Sequence, residues 1–184
     1  MSQATFDYTI DGNDTIVSIS DNWHAFAEDN AWDGPVRPRD VVGHSLWRFI
    51  QGPEVQRLYQ AIFSRVRNGH PCRALPFRCD SPVERRYLEL NVEARPAGHL
   101  HLRSTIVLTE RRHPVKVLES RISRSSLLLK LCSVCKKMRV SPEHWAEIDQ
   151  GMVYLRIFEA NRMPQLSHDL CNPCLGEMMG SAGL

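Results

Sequence analysis

Gly52-Pro53-Glu54-Val55-Gln56-Arg57-Leu58-Tyr59-Gln60-Ala61-Ile62-Phe63-Ser64-Arg65-Val66-Arg67-Asn68-Gly69 begins and ends on helix punctuation. Pro53 suits the first helical position, where an amide would have no intrahelical partner anyway. Gly69 tolerates the left-handed conformation that closes a helix. Between them Val55, Leu58, Tyr59, Ile62, Phe63 and Val66 recur at three- and four-residue steps, which puts one apolar stripe on a core. Working outward, three strand-like runs follow at Cys72–Cys79, Arg85–Ala94 and His99–Thr109. Tyr87, Leu90 and Val92 are mixed with charges, as in a sheet with one wet face. Pro76 cannot donate to a ladder, so it predicts an edge strand or a bulge. Upstream, Phe6–Ile10 and Thr15–Ile19 alternate with period two around Asp11-Gly12-Asn13-Asp14, a hairpin pattern. The acidic residues Asp11, Asp14 and Asp21 are accounted for by turn and cap positions. Ser20 or Asp21 caps a helix with Trp23, Phe26 and Ala27 on one face. A proline loop, Gly34–Pro38, and a short helix around Ser45–Ile50 complete the half. This order predicts an α+β fold, with helices on one side of a five-stranded antiparallel sheet.

Beyond Pro114 the pattern changes. Val115, Leu118, Ile122 and Leu129 fit a two-heptad seam, with Ser125 at its weak position. The expectation is a basic connecting helix over 113–131, between a sensory half at 1–112 and a four-cysteine module at 132–184. The seam would either form part of a homodimer or pack against the sheet. Within the last module, Met152, Leu155, Ile157 and Phe158 predict a helix.

Of the 184 residues, 42% are hydrophobic and 24% charged, which excludes a disordered or collagen-like chain. The longest aliphatic run, Leu127-Leu128-Leu129, is far short of the roughly 20 residues that span a bilayer. The acidic start lacks the basic-then-apolar order of a secretory signal, so a cytoplasmic location is expected, with reduced or metal-bound cysteines. Residues 111–140 hold nine Lys/Arg against Glu119 alone. Such a stretch is either a solvated face or a nucleic-acid surface built from Lys116, Arg121, Arg124, Lys130, Lys136, Lys137 and Arg139 within residues 111–139.

Cys132, Cys135, Cys171 and Cys174 form C-x2-C, a 35-residue spacer and a second C-x2-C. A two-residue gap lets both sulfurs of a pair reach one ion, and two such knuckles close a tetrahedron around Zn2+. Four filled positions leave none for water, so the expected zinc is structural. A thiol redox switch or unrelated buried thiols are the alternatives. Lys130, Lys136, Lys137 and Arg139 would offset the charge of four thiolates, and His168 could replace a cysteine ligand, donate to a sulfur from outside the ligand set, or simply lie on the surface. Cys72 and Cys79 are seven apart and predicted on opposite faces of a continuous strand, as free thiols.

Val41-Val42-Gly43-His44-Ser45-Leu46-Trp47-Arg48-Phe49-Ile50-Gln51-Gly52-Pro53-Glu54, followed by the helix ending Val66-Arg67-Asn68-Gly69, resembles a PAS domain over residues 6–110. The same stretch resembles the flavin-binding light-sensing branch, whose motif contains Asn-Cys-Arg-Phe-Leu-Gln-Gly-Pro. Laid on Leu46 to Pro53, that motif puts Trp47 at the photoactive cysteine, so a covalent flavin adduct is not expected. Cys132-Ser133-Val134-Cys135-Lys136-Lys137, Trp145-Ala146-Glu147-Ile148 and Ser167-His168-Asp169-Leu170-Cys171-Asn172-Pro173-Cys174 resemble a Cys-rich tail on some bacterial PAS and response-regulator proteins. The PAS resemblance implies a cavity lined by Phe26, Trp47, Phe49, Leu58, Ile62 and Phe77, unless these residues simply fill the core. Haem in such domains often uses a histidine on the long helix; there is none from Pro53 to Asn68, and His24, His44 and His70 lie outside it. His99 and His101 alone make a poor metal site.

No G-x-S-x-G, P-loop or kinase motif is present. The sequence therefore predicts a non-enzymatic regulatory protein acting through protein contacts. A zinc-dependent nucleic-acid-binding regulator and a thiol redox sensor are the other readings.

Overall fold

The computed structural model describes residues 4–23, 38–119 and 121–184. Phe26, and the helix expected around it, lie outside the described residues. Strands β1 (Thr5–Ile10) and β2 (Ile16–Ile19) form the opening hairpin. Its turn is held by the Asp11 carboxylate, which accepts the amides of Asn13 at 2.8 Å and Thr15 at 2.9 Å. A single turn, α1 (Pro38–Val41), and a 3-10 turn at Leu46–Arg48 lead into α2 (Pro53–Arg67). Strands β3 (Cys72–Arg78), β4 (Glu84–Ala94) and β5 (Leu100–Arg111) then complete an antiparallel sheet in the order β2-β1-β5-β4-β3. The fold is α+β, with the five antiparallel strands the sequence predicts.

The stripe of α2 buries Val55, Leu58, Ile62, Phe63 and Val66 against Leu75, Leu90, Val92, Leu100 and Leu102 of the sheet. Full burial of each such side chain contributes about 1.5–3 kcal/mol. The opposite face is wet and carries ion pairs, Asp7 with Arg103 at 2.7 Å and with His101 at 3.2 Å. Asp14 ties three elements: it accepts the Trp47 indole N–H at 3.1 Å and the Arg67 guanidinium at 2.6 Å.

Pro76 sits on the edge strand β3, next to a bulge between Cys72 and Leu75 where Ala74 has φ 53°. The bulge corrects the expectation for the two thiols. An inserted residue flips the alternation, so Cys72 joins the core and Cys79 faces the interior too, rather than the wet face.

The second half corrects the sequence reading more deeply. There is no connecting helix among the described residues of 113–131. A 3-10 turn at Lys116–Leu118 is followed by strand β6 (Arg124–Cys132). Leu129 and Leu131 point inward and Lys130 outward, the period of a strand. The seam residues Val115 and Leu129 are buried with Val117, Leu131, Met138, Ile148, Ile157 and Met163, and Leu118 and Ile122 pack against them. They fill their own chain's core and present no heptad stripe. Strands β7 (Met138–Arg139) and β8 (Trp145–Ala146), helix α3 (Ile148–Tyr154), β9 (Met163–Asp169) and α4 (Asn172–Ala182) complete the half. Its sheet runs β8-β7-β6-β9, with β6 and β9 parallel and the other pairs antiparallel. The helix expected around 152–158 ends at Tyr154, and Phe158 is 56% exposed. Gly151 lets α3 approach Met138: a Cβ there would stand 2.8 Å from its Sδ.

Nor does the four-cysteine segment stand apart as its own module. Cys132, Val134, Leu170, Cys171, Cys174, Met178 and Ala182 are buried in the same core as α2 and β3. The Arg78 amide donates to Val134 O at 2.7 Å. Asp80, its side chain 2% exposed, bridges Arg78 and Arg112, and Arg78 also pairs with Glu147 at 3.0 Å. At the start of α2, Gly52 (φ 92°) lies so close to β9 that a Cβ would meet His168 O at 2.7 Å. Among the described residues no helix is long and apolar enough to cross a membrane.

Candidate metal centre

Cys132 ends β6, and the chain turns back on itself at once. The Lys136 amide donates to Cys132 O at 3.0 Å and the Cys132 amide to Lys137 O at 2.8 Å. Lys136 takes φ 57° in this turn and its ammonium donates to Ser133 O at 3.0 Å. Lys136 thus braces the knuckle through its backbone; no bond from it to a sulfur occurs among the described residues. The second pair flanks the start of α4. Cys171 is its N-cap residue and Cys174 lies in its first turn, where the helix dipole favours negative charge. The two knuckles meet because β6 and β9 run parallel, Cys132 opposite Asp169.

All four sulfurs lie within 4.8 Å of one another. Cys135 Sγ and Cys171 Sγ are 3.8 Å apart. Zn–S bonds of ~2.3 Å put the corners of a tetrahedron ~3.8 Å apart, so the spacing fits an ion at the centre. Disulfide bonding would need ~2.05 Å. The Cys171 amide donates to Cys132 Sγ at 3.5 Å, the kind of backbone bond that stabilises a thiolate. Thiol donation from Cys135 and Cys174 holds Cys132 well below the ordinary thiol range. Donating to Cys132 pushes Cys135 up to about 12 and raises Cys174 as well. Four sulfurs this close cannot all be charged without a cation among them. With Cys132, Cys171 and Cys174 buried and Cys135 half-buried, the cluster can hold a metal ion in a closed, all-sulfur site.

His168, which the sequence offers as a replacement ligand, a donor to a sulfur or a surface residue, lies on β9 three residues before Cys171. No hydrogen bond joins it to a cysteine among the described residues, and its Nδ1 is buried without a partner. Leaving such an atom unsatisfied costs about 1–3 kcal/mol. Burial, then the nearby Lys136 charge, lowers its pKa, which favours a neutral ring.

His168 instead lines a cavity of about 500 Å³ between the five-stranded sheet, α2 and the cysteine segment. Of the cavity residues expected from sequence, Phe49 and Phe77 line it. Leu58 and Ile62 belong to the solid core, and Trp47 packs at a tilt against Phe63 with its indole N–H on Asp14. Tyr8, Tyr59, Cys79, Leu88, Leu90, Ser104 and Ser133 also face the cavity and were missed. Strand alternation with Phe6 could have found Tyr8; nothing local pointed to Ser133. Burial pushes the Tyr59 hydroxyl up to about 12 and raises that of Tyr8.

Several cations of the basic stretch bond within the chain. Arg112 pairs with Asp80 at 3.2 Å, and Arg124 donates to the carbonyls of Pro164, Glu119 and Val117 at 2.6–3.1 Å. Lys130 binds Asp169 at 2.9 Å and Arg139 donates to Pro142 O at 2.7 Å.

The fold and site thus define an α+β protein carrying a four-cysteine cluster that can hold a metal ion. No family model matches the chain, and no curated protein matches it. Among solved structures it is similar to a domain of an HTR-like protein from Haloarcula marismortui ATCC 43049, at 17% identity and a TM-score of 0.36. That likeness covers 56% of this chain and 98% of the other.

Proposed function

We propose that this chain is a non-enzymatic regulatory protein of the cytoplasm, in which a PAS-like sensory half is joined to a structural zinc site and signals through contacts with a protein partner. The observation that carries this reading is the convergence of four sulfurs, from two distant C-x2-C pairs, on one closed site within the core shared with α2 and β3. Zinc is the natural occupant of an all-thiolate tetrahedron because it has no redox chemistry and no preferred d-electron geometry. Cys132, Cys135, Cys171 and Cys174 would hold it, and its chemistry would be electrostatic cross-linking. The element order, a hairpin, short helical turns, a long helix and three antiparallel strands, supports the PAS-like part. Partner contact is supported by apolar side chains left in water on the second half: Leu127 and Leu128 are about 60% exposed, Val153 62% and Tyr154 70%.

Elemental analysis and an absorption spectrum of the purified chain test the proposal together. One zinc per chain and no visible chromophore are expected. Cobalt exchanged into the site should show the intense thiolate charge-transfer bands of tetrahedral S4 ligation. A metal-free protein at neutral pH with residues 132–184 fully protected from amide exchange overturns the zinc assignment.

A further inference from the structure

Among the described residues, strand β6 is paired along one edge and nearly bare along the other. It runs parallel to β9 from Arg124 to Cys132, whereas β7 meets its far edge at Leu131 alone. From Ser126 to Lys130 that far edge has no strand beside it among the described residues, and its outward backbone groups are open to pairing. The register against β9 shifts between Arg124 and Leu128, and here Leu127 and Leu128, neighbours in sequence, are 60% and 59% exposed. The Leu127 amide makes a long local bond, 3.4 Å to the Ser125 hydroxyl, which a better-placed carbonyl can replace. Edges that stay solvated are usually blunted by charge or proline. Residues 126–130 hold no proline, and their single charge, Lys130, is neutralised by Asp169 at 2.9 Å.

We propose that this edge pairs with a second copy of the chain, the two β6 strands lying antiparallel about a two-fold axis beside Leu128. The proposal names the partner in the protein-contact reading above and rests on that reading. A two-fold interface uses one edge twice, so the edge has to tolerate itself. Met138 already occupies the edge at Leu131, which confines the pairing to 126–130 and puts its midpoint at Leu128. In that register Leu128 faces Leu128 of the second copy and Lys130 faces Ser126, so no like charges meet across the axis. An acidic or basic peptide would find no free counter-charge on this edge, and a segment as uncharged as the edge itself fits it best. A five-residue ladder alone is smaller than the ~800 Å² per partner of a standard interface. Leu155, which lines a groove with Leu127, and the exposed Val153 and Tyr154 just before it in the chain extend the apolar area.

Sedimentation of the full chain as purified, from low micromolar to about 100 μM, is the test. A monomer–dimer equilibrium is expected. Leu128→Lys and Leu128→Asp should each weaken the dimer about tenfold or more, because like charges then face each other across the axis. Mixing the two variants in equal amounts should restore a dimer, now a heterodimer, since the opposed charges attract. Leu128 lies largely in water, so circular dichroism and metal content should stay as in the parent; Leu127→Lys serves if neither variant folds. Val107→Lys, on the exposed part of β5, should leave the dimer unchanged. A chain that stays monomeric throughout overturns the second copy as occupant, while contact with a different protein, the wider reading, still stands. A dimer that survives the Leu128 variants, or that Val107→Lys dissociates instead, overturns this edge as the interface. Failure of the mixture to recover overturns the two-fold register at Leu128.

Discussion

The two sheets of this protein reach order by different routes. In the first, β4 and β5 pair along nearly their whole length, and one 15-residue helix covers the buried face. In the second, β7 and β8 have two residues each, and the private core is the small group from Val115 to Met163. A core that size does not sustain an independent module. The second half is completed from outside itself, by docking on α2 and β3 and by the proposed ion. The cysteines lie in the core shared with the first half rather than in the private one. The difference teaches that the four-cysteine cluster belongs to the junction: losing the proposed ion should be felt on both sides of it, not only in the tail.

The strongest way to break that comparison is to remove the ion. Structural zinc contributes on the order of 10 kcal/mol of apparent binding free energy in small peptides at neutral pH. Cys174→Ser or a strong chelator should therefore erase amide protection across 124–184 and lower it in β3 and α2, with the β1–β2 hairpin least affected. Exchange mapping that finds β3 and α2 unchanged would show the shared core to be energetically idle. Acid should act in the same sense, because protons compete with the metal for thiolates.

Next in size is Asp80→Ala. It leaves the guanidinium groups of Arg78 and Arg112 buried without their common carboxylate, at a cost of about 3–5 kcal/mol. Urea unfolding should show the loss as a lower midpoint, and a single transition would indicate that both halves unfold together. Gly52→Ala sharpens the same point without touching charge. Its positive φ and the 2.7 Å approach to His168 O should cost about 2 kcal/mol and loosen β9 against α2. Amide exchange at Asp169 and Leu170 reads that loosening directly.

The smallest effect expected lies far from the junction. Amides of Thr15 and then Asn13 hold the Asp11 carboxyl below the usual carboxylate range. A folded-state pKa below the unfolded one stabilises above the unfolded value and is lost as pH falls through the folded one. Asp11→Ala should thus lower Tm slightly at neutral pH, and the gap from the parent should close in acid. Both proteins can be followed by thermal circular dichroism, and a gap that persists in acid would point to a packing defect instead.

Much of the first half is legible in the residues. The α2 stripe, the hairpin turn at Asp11–Asp14 and the edge position of Pro76 each follow from interactions within a few residues. The C-x2-C pairs are legible for the same reason, since each knuckle is a local turn. What the residues did not disclose depends on partners distant in the chain. Leu127 to Leu131 carry good helix propensity, yet they form a strand because β9, almost forty residues on, supplies the parallel ladder. The bulge at Ala74 reversed the predicted faces of Cys72 and Cys79. His168 was placed by spacing beside the sulfurs and by the sheet beside the cavity. Sequence determined the helix face, the turns and the two C-x2-C pairs, because periodicity and short loops are local physics. Only the tertiary structure decided that the cysteines lie in the core shared with the first half, with Ser133 and His168 beside its cavity, because that depends on which buried surfaces meet.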